Sequence, residues 1–307
     1  MWNMVIHERL IPLELVIYKR LRPRMVIAEN EVKKFLAIEK GYEGEVRSDE
    51  WLTGLNQHWL VLHGLLLEYN GSRFQIDTLI IAYEKIYLLD VKHFEGDYYL
   101  EEEHWSTKSN SNILNPLDQL RRCTTLLRKL LFELGFKDPI DPYLTFNNPE
   151  FHLYITTINP TLIFPTQLNR FLKKLNTNPV KLNQRYYELA EKLASLHIIE
   201  SPYSRVPAYS FEECKKGGVC IDCGAMYTSV NKDKLECGAC GCQEKVDEAV
   251  IRNVKDYILL FPDRKITVRD IYEWCGFIVS KKTIRRILSR NFKLEGFGPS
   301  AHYVKKE

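Results

Sequence analysis

Two runs rich in apolar positions, residues 59–69 and 73–82, flank Asn70-Gly71. An Asn-Gly pair between such runs predicts a hairpin, because both residues tolerate the positive φ of a tight turn. Residues 86–94 read as a third strand, and the apolar run Ile86, Tyr87, Leu88, Leu89, with Val91 beyond Asp90, predicts burial on both faces. Elsewhere the period is helical. Leu13, Ile17 and Leu21, with Pro12 near the start, make the first forty residues read as helical, an amphipathic arm packed on the domain that follows. Residues 44–55 read as a helix, and Asn115-Pro116 opens another through Leu120, Leu126, Leu127 and Leu130. A strand at 151–158 stops before Pro160, and a helix is expected at 184–195. Helices on either side of strands predict an α/β domain with a mixed sheet.

Pro202, Ser204, Pro207 and Ser210 break the pattern between 201 and 213 and mark a boundary. Beyond a cysteine-rich stretch, 246–261 and 268–275 read as helices and Gly276 as a turn. Ser280 is placed to cap a third helix, and 292–304, with Gly296 and Gly298, reads as a hairpin. Three helices and a hairpin describe a winged helix. The expected domains are a helical arm (1–40), an α/β domain (41–200), a metal module (214–245) and a winged-helix-like domain (246–307).

Composition changes little. The chain has 307 residues, 45% hydrophobic and 27% charged, which suits a globular protein with a sizeable core. Its net charge of +3 does not by itself argue for nucleic acid. No apolar stretch is long enough to span a membrane, and the N-terminus lacks a signal-peptide pattern. The expected location is cytoplasmic, with no membrane partner.

Of eight cysteines, Cys220-x2-Cys223 and Cys237-x2-Cys240 form two knuckles thirteen residues apart. Facing CxxC turns supply the four soft ligands that zinc takes in a tetrahedron, and a fully thiolate site leaves no open position. A structural Zn²⁺ is therefore expected. Gly224 and Gly241 follow the knuckles, while Cys214 and Cys242 stand nearby as possible exchange partners or free thiols.

Asp77 lies in the second strand, and Asp90 and Lys92 end the third. Asp90 and Lys92, two apart, leave one face of their strand. If Tyr83-Glu84 form the turn, Asp77 opposes Asp90 with Cβ atoms about 5 Å apart. A two-residue slip would set it against Lys92, and a one-residue slip would send it to the other face. Two adjacent carboxylates suit a hard cation, and a neighbouring lysine suits phosphoryl chemistry; a plain ion pair at a strand end is the bland alternative. His93 reads as a packed or surface residue rather than a ligand, Glu101-Glu102-Glu103 as a solvated run, and Trp105 as core with a hydrogen-bonded edge.

Gly41-Tyr42-Glu43-Gly44-Glu45, Gln75-Ile76-Asp77, Asp90-Val91-Lys92 with Gly96, and Asn115-Pro116-Leu117-Asp118-Gln119 together resemble the nuclease-related domain, NERD, of the PD-(D/E)xK nuclease superfamily. The resemblance spans about 41–131. It implies a restriction-endonuclease-like core, with Asp77, Asp90 and the Val91 carbonyl holding Mg²⁺ or Mn²⁺ and Lys92 positioning water. Glu45 and Gln119 would complete the site from the flanking helices. The family more often has Glu at the place of Asp90, which shortens the reach without removing the ligand.

Between Ser280 and Lys293 stand Lys281, Lys282, Arg285, Arg286, Arg290 and no acidic residue, a surface suited to phosphates. The expected function is a metal-dependent nuclease acting on DNA, docked by the zinc ribbon and the winged helix. The alternatives are a non-catalytic DNA-binding or regulatory protein on a nuclease-like scaffold, or accessory domains that dock proteins in a repair or defence assembly.

Overall fold

The computed structural model describes residues 4–55, 58–108, 112–177, 180–199 and 206–306. Of the expected boundary at 201–213, positions 201–205, with Pro202 and Ser204, lie outside the described residues. In chain order the elements begin with β1 (Met4–His7), α1 (Leu13–Leu21), α2 (Glu29–Leu52), β2 (Leu60–Tyr69), β3 (Ser72–Ala82) and β4 (Lys85–Lys92). There follow β5 (Gly96–Glu101), β6 (His104–Thr107), β7 (Asn112–Ile113), α3 (Pro116–Glu133), β8 (Ile140–Phe146), β9 (Phe151–Ile155) and β10 (Leu162–Ile163). Then come α4 (Leu168–Leu175), α5 (Gln184–Ser195), β11 (Ser229–Asn231), β12 (Lys234–Glu236) and β13 (Gln243–Lys245). The chain closes with α6 (Val246–Leu260), α7 (Val268–Trp274), α8 (Lys281–Asn291), β14 (Phe292–Glu295) and β15 (His302–Lys305).

The described residues form two compact units, one from Met1–Pro12 and Leu36–Tyr203, the other from Leu13–Phe35 and Ser204–Glu307. The first is built on a six-stranded mixed sheet in the order β1-β2-β3-β4-β8-β10. β2, β3 and β4 are antiparallel neighbours, while β1, β8 and β10 join in parallel. Both faces of the sheet are covered, as the apolar run in β4 predicts. Ile86 and Leu88 enter one core with Leu120 and Leu127 of α3, and Leu89 enters the other with Phe171 and Leu175 of α4. A smaller sheet, β7-β6-β5-β9, continues from the end of β4. It takes the strand expected at 151–158, which ends at Ile155.

β2 carries an irregularity that alternation does not predict. Leu60 and Leu62 face the larger core before Gly64, and Leu65 and Leu67 face it afterwards. The parity of the inward residues changes at Gly64, whose φ is +62°. In β3 the parity changes as well, from Phe74 and Ile76 to Leu79 and Ile81, on either side of Asp77. A positive φ is open to glycine at little steric cost and sets such a kink.

Two expectations for the N-terminus are corrected. Met4–His7 is a strand paired with β2, not helix; the four residues find a sheet edge, and tertiary pairing overrides helical spacing in so short a segment. Helix α1 buries Ile17 and Leu21 in the core of the second unit, not in the domain next in sequence. α2 also begins at Glu29, well ahead of the expected start at 44.

The second unit packs α6, α7 and α8 around Val254, Tyr257, Trp274, Ile284 and Leu288, with β14 and β15 as a two-stranded sheet. Ser280 caps α8 by accepting from Thr283 N–H at 3.2 Å. Arg24 is wholly buried there, its guanidinium 3.8 Å from the Trp274 ring centroid, and it donates to Asn253 Oδ1 at 3.0 Å. A three-stranded sheet, β11-β12-β13, carries the cysteine knuckles.

Candidate functional site

The β3–β4 hairpin has the odd register. Ala82 pairs with Lys85 and Thr78 with Leu89, so the ladder ends one residue short of Asp77 and Asp90. Asp77 Oδ2 accepts from the Val91 N–H at 2.8 Å. Both carboxylates are buried, at 9% and 5% exposure. Lys92 Nζ lies 2.6 Å from Asp90 Oδ1 and donates to Gln119 Oε1 at 3.1 Å. Gln119 is delivered by the first turn of α3, where Asn115 caps by accepting from Leu117 N–H at 2.9 Å and Pro116 occupies a position with no amide to lose.

Glu45 reaches the same cleft because α2 packs against the end of β4. A Cβ at Gly44 would lie 2.3 Å from His93 Cβ, so only glycine permits this approach. Asn147 Nδ2 donates to the Gly44 carbonyl at 2.5 Å, and its Oδ1 is 2.7 Å from His93 Nδ1. His93 therefore lines the cleft while bonded to a neighbour. The cleft has a volume of about 440 Å³ and is lined by Glu45, Asp77, Val91, Lys92 and Gln119 among others.

Three polar residues here escaped the sequence reading: Arg9, Asp49 and His63. Arg9 pairs with Glu45, forks onto Asp49 at 2.7 and 2.9 Å, and donates to the Asp77 carbonyl at 2.7 Å. Asp49 also meets His63 Nδ1 at 2.8 Å. Asp49 stands four residues after Glu45, so helical spacing places them on one face. Nothing local announces Arg9, which arrives from the sheet edge. Trp105 is core as expected, but its indole N–H has no hydrogen-bond partner among the described residues.

Burial, and then the Asp77 carboxylate, raise Asp90 to about 7. Burial and Asp77 also push Glu45 up to about 8, against the pull of Arg9. Burial works to lower Lys92, yet the charges of Asp90 and Asp77 outweigh it and hold the ammonium above its ordinary value. This is a concentration of negative charge that one lysine does not fully relieve. Its oxygen donors fit a hard divalent cation, with Asp77, Asp90 and the Val91 carbonyl as the available ligands.

The cysteine quartet is tighter. The four Sγ atoms of Cys220, Cys223, Cys237 and Cys240 all lie within 4.8 Å of one another. Cys220–Cys240 and Cys223–Cys237 are 3.7 and 3.5 Å apart. Thiolates about 2.3 Å from zinc in a tetrahedron have sulfurs about 3.8 Å apart, so the quartet fits a zinc ribbon. Burial opposes ionisation of Cys220, but bonds from the Cys223 and Asp222 amides bring it down to about 6. Cys214 and Cys242 fall outside the quartet. Among the described residues no other group of three or more His, Cys, Asp or Glu gathers its ligand atoms so closely, Glu45, Asp77 and Asp90 included.

On α8, Ile284, Ile287 and Leu288 are buried and Lys281, Lys282, Arg285, Arg286 and Arg290 are exposed. Arg286 forks onto Asp247 at 3.0 and 2.6 Å, which partly neutralises the middle of the row.

Residues 40–147 match the family model described as the nuclease-related domain, NERD. Comparison with curated proteins and with solved structures gave no match. No described helix is long and apolar enough to cross a membrane.

Proposed function

We propose that the chain is a metal-dependent nuclease that hydrolyses phosphodiester bonds of DNA, with Asp77, Asp90 and Lys92 central and Glu45 and Gln119 completing the cleft. The observation that carries this is one cleft of a nuclease-related segment lined by Glu45, Asp77 and Lys92, with the buried Asp90 carboxylate 2.6 Å from the Lys92 ammonium. Asp77, Asp90 and the Val91 carbonyl would hold Mg²⁺ or Mn²⁺. When bound, the cation supplies Lewis-acid polarisation of the phosphate and lowers the pKa of water. Lys92, steered by Asp90 and Gln119, presents an N–H toward the open cleft, where it orients the attacking water and steadies charge on the phosphoryl oxygens. Asp77, fixed by the Val91 amide, keeps its second oxygen for the cleft.

The cysteine quartet holds a structural Zn²⁺ in this proposal, with four thiolates and no open position. Reduced thiols suit the cytoplasm. The exposed row Lys281, Lys282, Arg285, Arg290 would lie along the phosphate backbone, and protein partners in repair or defence remain a secondary role for the same surfaces.

The test incubates purified protein with plasmid and linear DNA in Mg²⁺, Mn²⁺ or EDTA, beside Asp77→Ala and Lys92→Ala. Cleavage that needs the metal and vanishes in both variants is expected. Cleavage surviving in both variants would place the activity at another site or in a contaminant, and metal-supported DNA binding without any cleavage would leave the non-catalytic scaffold as the function.

A further inference from the structure

Arg9 stands outside the segment that matches the nuclease-related domain, yet its side chain is only 5% exposed and sits inside the acidic cluster. The chain makes room for it. At Gly64 in β2 an added Cβ would meet Arg9 Nη1 at 3.4 Å and Cγ at 3.5 Å, and the φ of +62° already disfavours a side chain. The guanidinium is then held by three groups. Asp49 takes two parallel bonds, the Asp77 carbonyl accepts a third at 2.7 Å, and Glu45 takes Nη1. A nearly buried, forked guanidinium is pre-organised and always charged, and freeing one of its carboxylates would leave buried charge uncompensated.

Glu45 therefore already has a cation. Among the described residues, Glu45, Asp77 and Asp90 do not gather into a three-carboxylate cluster. Arg9 cannot follow Glu45 toward a metal, because Asp49 and the Asp77 carbonyl tie the other nitrogens to α2 and β3.

We propose that Arg9 is the standing counter-ion of Glu45 and a positioning residue for the cleft, withholding Glu45 from direct ligation so that a divalent cation is held by Asp77, Asp90 and the Val91 carbonyl. It rests on the cleft being a metal site. Arg9 bridges α2 to β3 and so fixes the width of the cleft, while Glu45 faces it as an acceptor for water or for a substrate hydroxyl.

The experiment is a Mn²⁺ titration of the intact protein without DNA, by calorimetry and by the spin-resonance signal of free Mn²⁺. Wild type, Asp77→Asn, Glu45→Gln and Arg9→Met are compared, each checked for an unchanged fold by circular dichroism. Removing a direct ligand, as in Asp77→Asn, is expected to weaken binding by about tenfold or more. Glu45→Gln, still able to accept from Arg9, is expected to change affinity by less than about fivefold, since it removes no ligand. In Arg9→Met the freed Glu45 becomes a ligand, and adding Glu45→Gln to that background weakens binding by about tenfold. If Arg9→Met does not fold, Glu45→Gln against Asp77→Asn decides alone. A Glu45→Gln loss of fivefold or more overturns the role of Arg9 while leaving the metal site intact. Wild type that binds Mn²⁺ no better than Asp77→Asn removes the metal site itself, and this proposal with it.

Discussion

Asp90 and Glu45 bind protons in the folded chain that they release in the unfolded one. Burial and the Asp77 charge raise them to about 7 and about 8, far above the ordinary carboxylate value of about 4. A folded state holding more protons loses stability as pH rises, so their contribution falls between about pH 4 and pH 8. Asp49 has the opposite sign: burial works to raise it, but bonds from His63 and Arg9 lower it, and its contribution is lost only below about pH 4. Metal-free protein should therefore melt at a lower temperature at pH 8.5 than at pH 5.5, and Asp90→Asn should flatten much of that slope. Mn²⁺ should raise the melting temperature more at the higher pH. Thermal scans of the two proteins that show equal slopes would contradict this charge balance.

Helix α2 shows how one residue sets the reach of an element. Gly41 and Gly44 lower its intrinsic propensity, yet the helix runs through both, because Gly44 lets it close on His93. Gly44→Ala would place a Cβ 2.3 Å from His93 Cβ. Such overpacking costs about 1–3 kcal/mol, occasionally more, and should push Glu45 away from the cleft. Denaturant unfolding measures the loss; an unchanged midpoint would mean that α2 and β4 shift freely. The ribbon is a second case. Leu235 is the one buried apolar residue of its three strands, too little apolar burial to hold them. Purified protein should release one zinc per chain on thiol modification, read with a metallochromic dye. Absence of any bound metal would contradict the assignment. These elements were largely legible: the Asn70-Gly71 hairpin, the Asn115-Pro116 helix start and the Ser280 cap all lie where local chemistry puts them. What local pattern could not give was the pairing of Met4–His7 with β2, which depends on a distant strand.

At the scale of the whole chain, each unit draws on the N-terminal residues. Met4–His7 adds a strand to the first, and α1 with Arg24 enters the core of the second. The sequence pattern alone treats this stretch as a separate arm, because amphipathic spacing says which face is buried and not against what. The same limit hid Arg9 from the cleft, while the nearness of Asp77, Asp90 and Lys92 at the ends of neighbouring strands was legible from strand period. If α8 lies on DNA, Lys282→Gln and Arg285→Gln should each reduce the dependence of log affinity on log salt by about one. Unchanged salt slopes would remove α8 from the interface. The most direct test of the central claim is a Mn²⁺-soaked crystal measured for anomalous scattering. A peak bounded by Asp77, Asp90 and the Val91 carbonyl, with Glu45 still on Arg9, is the predicted result. Ordered Mn²⁺ elsewhere, with none beside Asp77 and Asp90, would contradict it.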